Sequence, residues 1–171
     1  MPIHPSIVHL PIALSVLMPL LAMGLLVAWW RDWLPRRVWI IGLLMQALLV
    51  GSSWAALETG EADEERVEKV LANEDPLDAH EEAAEVFLFA AIGVLTVFAA
   101  SAFMPNAGLG RSLATLATVG TFVVAGLAYR VGHAGGRLVY QEGAAQAYTG
   151  STAGAAPAQS MTRPHDDDDD D

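Results

Sequence analysis

Between Leu10 and Trp30 the chain carries no charged residue, and the same holds from Val38 to Leu57, from Val86 to Gly110 and from Ser112 to Tyr129. A helix rising 1.5 Å per residue needs about 20 apolar residues to cross a hydrocarbon layer roughly 30 Å thick. Each run meets or approaches that length. Helices of a soluble bundle would turn a charged stripe to water, whereas these runs are apolar all round, relieved by Gln46 and by scattered serines and threonines. The pattern predicts an all-α integral membrane protein: a four-transmembrane-helix bundle over residues 4–143 with an acidic outer loop at 58–80, then a disordered acidic tail of Ala, Gly, Ser and Asp over 144–171. The first run lacks a basic leader and is longer than the apolar stretch of a signal peptide, so it is expected to remain as a span.

With no cysteine in the chain, disulfides, thiolate metal sites and covalently attached haem are excluded. The formal net charge is -11, and the acid is gathered in residues 58–82 and in the terminal run 166–171. Nucleic acid is thereby excluded as a partner, because binding it depends on Lys and Arg at the phosphates. The lipid bilayer is the expected surroundings.

Two short connections are basic: RDWLPRR (31–37), with Arg31, Arg36 and Arg37, and PNAGLG before Arg111. Basic short loops mark the cytoplasmic side, which places both termini and the acidic loop in the periplasm of a bacterial inner membrane. Trp29, Trp30, Trp33 and Trp39 gather at the cytoplasmic interface, a depth tryptophan favours. Inside the acidic loop, Val67, Val70 and Leu71 recur at helical spacing and predict a short helix on the membrane surface, ended by Asp75 and Pro76. DAHE (78–81) has the form of a capping box, with Asp78 as the cap of the third span. Gly135 and Gly136 predict the stop of the fourth span, and Leu138 and Tyr140 a short extended or interfacial piece after it.

The histidines follow this topology. His4 and His9 open the first span, His80 opens the third and His133 closes the fourth, so all four lie at one end of the bundle. Pro5 and Pro11 restrain the chain around the first two, and Gly132, Gly135 and Gly136 leave room beside the last. His165, in the tail, is taken as incidental. Two imidazoles from different helices can hold a haem iron axially inside a bundle. The expected site is a b-type haem with His80 and His133 as the axial pair, His9 as the alternative partner and His4 nearby. Arg130, one turn deeper than His133, would meet a propionate. A non-haem metal on His9, His80 and His133, with Glu58, Glu81, Glu82 or Glu85, is the alternative chemistry. No ionisable residue lies at mid-depth, which disfavours a transmembrane ion or proton path. The expected roles are electron transfer or a membrane subunit of a redox complex. A non-catalytic, partner-recruiting scaffold and a metal-dependent membrane enzyme are the alternatives. No catalytic residue is assigned, and an oligomer is left open.

HPSIVHLPIAL (4–14) and GHAGGRLVYQEG (132–143), taken together, resemble the bacterial membrane-protein family called domain of unknown function 2231. The shared features are an opening His-Pro, a His-hydrophobic-Pro-Ile-Ala-Leu run and a closing Gly-His-x-Gly-Gly-x-Leu-Val-Tyr. The resemblance covers about residues 4–143 and departs at Leu10, where an aromatic is frequent in the family. It implies four spans and a membrane location. The c-type haem domains joined to some members imply electron transfer and a c-type cytochrome or other redox subunit as partner, without assigning that role to any histidine here.

Overall fold

The computed structural model describes residues 4–148. α1 (His4–Ile7) and α2 (His9–Trp30) form one nearly continuous helix. The irregularity at Val8 follows from Pro11, which has no N–H to offer the carbonyl four residues back; bonds from Val8 N to His4 O and from Ile12 N to Val8 O, both 3.2 Å, carry the helix through. A 3-10 turn, Arg36–Val38, leads into α3 (Trp39–Glu68), followed by α4 (Asp75–Phe103) and α5 (Ala107–Tyr140). Four helical stretches, His4–Trp30, Arg36–Glu68, Asp75–Phe103 and Ala107–Tyr140, are long and apolar enough to cross a membrane. They pack as a ring in which α2 touches α3 and α5, and α4 touches α3 and α5.

Lipid is as apolar as a leucine core, so hydrophobic burial alone does not hold such helices together; close approach over small residues does. Ala22, Ala91, Ala114 and Ala117 are buried at the helix contacts. A Cβ added at Gly42 would stand 2.9 Å from Cε1 of Phe98, and one at Gly120 only 2.6 Å from Cγ2 of Val94. Large apolar side chains such as Leu20 and Phe89, 68% and 69% exposed, face outward where lipid would meet them.

The basic end is clamped by specific bonds. Arg36 donates through Nη2 to the carbonyls of Ser101 and Ala102, each at 2.9 Å, which satisfies orphan acceptors at the end of α4. Its guanidinium lies 5.8 Å from the Trp29 ring. Trp39 stacks on Phe98 at 4.8 Å and meets Trp29 at 6.1 Å. Asn106 Oδ1 accepts from Leu109 N at 3.0 Å and caps α5, while Arg111 pairs with Asp32 at 3.0 Å.

The acidic end departs from the sequence expectations in four ways. In place of a separate surface helix, α3 continues to Glu68, so Val67 is helical while Val70 and Leu71 lie in the turn beyond it; 58–68 is rich in good helix formers and is reinforced by Asp63–Arg66 and Glu65–Lys69 pairs one turn apart. Pro76 opens α4 rather than closing an earlier helix, as suits a proline in the first turn. Asn73 Oδ1 accepts from Asp75 N at 3.1 Å there, and Asp78 sits inside the helix. α5 runs straight through Gly135 and Gly136 to Tyr140, so Leu138 and Tyr140 are helical; the turn comes at Gly143, whose φ of +75° favours glycine. Finally, Ala144–Tyr148 forms a 3-10 turn with Ala144 buried, so ordered chain passes residue 143. The rest of the proposed tail, 149–171 with His165, lies outside the described residues.

At 30 and 34 residues, α3 and α5 extend about 45 and 51 Å, well beyond a hydrocarbon layer of roughly 30 Å. Their ends, the start of α4 and the last turn make a cap with its own small core of Val67, Leu77, Leu138 and Ala144.

Candidate functional site

A cavity of about 350 Å³ lies between the bundle and its cap. Ser15, Ser53, Phe87 and Ala128 line it toward the bundle interior, and Val67, Leu77, Leu138 and Ala144 line it from the cap. This volume falls within the range usual for small-molecule sites.

Two imidazoles enter it, each anchored in the same way. His4 Nδ1 lies 2.9 Å from the carbonyl oxygen of Ala56, with its ring against Gly60, where an added Cβ would stand 3.3 Å from Cε1. His80 Nδ1 lies 3.2 Å from the carbonyl oxygen of Val131, with its ring against Gly135, where the corresponding distance is 3.1 Å. In both cases the carbonyl belongs to the residue four before the glycine, so the missing side chain opens one helix face to the ring. A carbonyl oxygen only accepts. Nδ1 therefore carries the hydrogen in each neutral ring, and Nε2 keeps its lone pair. Thr59, 3.3 Å from His4 Nδ1, spends its hydroxyl on the carbonyls of Ala55 and Ala56. His4 and His80 line the same cavity.

Depth follows from helix rise. Ala56 stands about 25 Å along α3 from Trp39, and Val131 about 31 Å along α5 from Gly110, which packs on Trp29. The imidazole level thus stands from the tryptophans by about the thickness of a hydrocarbon layer, roughly 30 Å. Gly132 is both exposed and part of the lining, and a Cβ there would meet nothing within 4 Å. The lining thus reaches the surface at Gly132, as it does at Pro5, Ile12, Glu61 and Val139.

The polar side chains of the lining share one property. Ser15 and Ser53 spend their hydroxyl hydrogens on the carbonyls of Pro11 and Leu49, at 2.6 and 2.7 Å. The remaining polar lining consists of His4, His80 and the carboxylates Glu61, Asp63, Glu64 and Glu81. With the rings neutral and the carboxyls ionised every one of them can accept, and among the described residues no lysine or arginine lines the cavity. Asp63 is paired with Arg66 along its own helix. Glu61, Glu64 and Glu81 have no ion-pair partner among the described residues. Half-buried Glu81 shares the lining with Glu61 and Glu64.

The other histidines stand elsewhere. His133 is exposed, its ring stacked 6.2 Å from Tyr129; at about 100° per residue it points some 200° away from Gly135. His9 is exposed, turned about 140° from His4 by the same count. Arg130 lies in a separate groove with Glu82, Val86 and Leu127. The structure thus brings His80 together with His4, while His9, His133 and Arg130 lie outside the cavity. Among the described residues no group of three or more His, Asp or Glu is placed to hold a metal ion. Glu58 bonds Trp54 Nε1 at 3.0 Å, and Glu82 and Glu85 are exposed. The His4–His80 pairing has no signal in the sequence, because Gly60 and Gly135 are distinguished from the other glycines only by the rings packed on them.

A family model described as "Predicted membrane protein (DUF2231)" matches residues 1–147. Comparisons with curated proteins and with solved structures give no match. The chain belongs to this family of predicted membrane proteins.

Proposed function

From that membership and the geometry above, we infer that this membrane protein is a binding protein. Its ligand would occupy the cavity between His4 and His80, gripped at its polar end by the two Nε2 atoms and covered elsewhere by apolar walls. The observation that carries this reading is the paired anchoring of the imidazoles. Two rings from different helices line one cavity, and each has its Nδ1 fixed to a backbone carbonyl, which leaves Nε2 free of the backbone. Fixing one ring nitrogen to orient the other is how proteins prepare a histidine to bind. With the Arg31–Arg37 connection cytoplasmic, the site would belong to the periplasmic half of a bacterial inner membrane. The test is native mass spectrometry of the protein taken directly from membranes. A bound small-molecule mass is expected in the wild type and not in the His4→Ala/His80→Ala double variant; identical spectra would end the reading.

A b-type haem serving electron transfer is the second reading, supported by the same two Nε2 atoms as axial candidates with His4 in place of His133. The rim weighs against it. Two propionates would face Glu61, Glu64 and Glu81, and Arg130 lies outside the cavity. Oxidised and reduced absorption spectra after haem-replete expression decide this case: a Soret band lost in the double variant supports haem, and no band in the wild type removes it. A c-type cytochrome or other redox subunit as partner stands or falls with that spectrum.

A further inference from the structure

We propose that the ligand is an organic cation, a protonated primary amine carried on an apolar body. This rests on the reading of the cavity as a binding site and names the class of molecule it takes. Three observations converge on it. The polar lining consists of acceptors alone, so a ligand that also presents acceptors leaves both sides unpaired. Glu61, Glu64 and Glu81 line the one cavity and have no ion-pair partner among the described residues, and like charges gathered in a lining of low dielectric are costly until a cation arrives. The rest of the wall is apolar, with Val8, Ile12 and Phe87 among its residues, as the apolar body of an amphiphile requires.

An alkylammonium answers all three. Its head has three N–H donors and no acceptor, like that of lysine, which matches a lining that offers His4, His80 and carboxylates such as Glu81 as acceptors. The alkyl part lies along the apolar wall. A fatty carboxylate would set charge against charge. A neutral alcohol would bring one donor and no charge. A bare divalent metal would lack a third protein ligand, since no such group exists among the described residues.

The experiment uses the full chain in lipid nanodiscs at neutral pH and moderate salt, titrated calorimetrically with hexylammonium, hexanol and hexanoate. Hexylammonium should bind one per chain, and tighter than hexanol by about tenfold or more, the factor expected of a charge-assisted hydrogen bond. Hexanoate should not bind. His4→Ala and His80→Ala should abolish saturable binding, whereas His9→Ala and His133→Ala should leave it intact. Glu81→Gln, a variant of nearly unchanged shape, should reduce the affinity for hexylammonium but not for hexanol. Equal affinity for hexanol and hexylammonium, with both lost in the histidine variants, would overturn the cation inference and leave the binding reading standing. Hexylammonium binding that survives His4→Ala and His80→Ala would be adsorption to surface charge and would overturn the inference. Absence of binding by all three probes would overturn both.

Discussion

His80 reaches from α4 to the carbonyl oxygen of Val131 on α5, 3.2 Å from its Nδ1, and its ring occupies the space that Gly135 leaves free. His4 repeats the arrangement on α3 with Ala56 and Gly60. Both helix-to-helix contacts therefore also fix which ring nitrogen is left free of the backbone.

Gly135→Ala tests this arrangement without removing a histidine. The new Cβ, 3.1 Å from His80 Cε1, must push the ring aside, while the backbone gains up to about 1 kcal/mol of helix propensity. The variant is expected to stay as stable as the wild type within about 1 kcal/mol and to bind hexylammonium several-fold more weakly. Thermal unfolding in detergent and the same calorimetry check the two halves separately.

Packing in the membrane-spanning part depends on a few glycines far more than on others. Gly120→Leu drives a side chain into β-branched Val94, whose single favoured rotamer leaves no escape. Overpacking of this kind costs about 1–3 kcal/mol. Gly51→Ala and Gly93→Ala meet nothing within 4 Å and should be neutral or slightly stabilising. Unfolding titrations in mixed micelles should separate the two groups.

At the opposite end, Arg36→Met removes two hydrogen bonds to the carbonyls of Ser101 and Ala102. A loss of about 2–3 kcal/mol is expected, typical of bonds to a charged donor. Because this clamp stands at the far end of the bundle from the cavity, ligand affinity should be unchanged. A parallel fall in stability and affinity would show that the two ends are coupled.

The cap should behave as a separate, weaker unit. Leu138→Asp places a charge in the small core formed with Val67, Leu77 and Ala144, a cluster with too few residues to absorb it. Hydrogen exchange should quicken in 61–68 and 132–140 while the spans stay protected. Ligand binding should also weaken, since the same residues line the cavity from the cap.

Much of this molecule is legible in its sequence, and the rest is hidden for identifiable reasons. The four charge-free runs become the four helices because all-round hydrophobicity leaves a chain little else to do in lipid. The helix ends are less readable. The same glycines that signal a stop can mark close approach, and at Gly135 the approaching His80 ring shows which role applies. Pro76 similarly reads as an end or a beginning until Asn73 is seen to bond Asp75 N. That the histidines share one end of the bundle follows from topology alone. Which of them meet depends on helical phase: His133 is two residues from Gly135 and faces another way, whereas His4, one turn before exposed His9, points inward.

The central claim is that His4 and His80 present their Nε2 atoms to one ligand. It is tested most directly by nitrogen NMR of imidazole-labelled protein in nanodiscs, recorded before and after hexylammonium is added. The expected result is that the Nε2 resonances of His4 and His80 start at the frequency of an unprotonated nitrogen and move together on titration, while those of His9 and His133 stay in place. Protonated Nε2 at both cavity histidines, or equal shifts at all four rings, would contradict it.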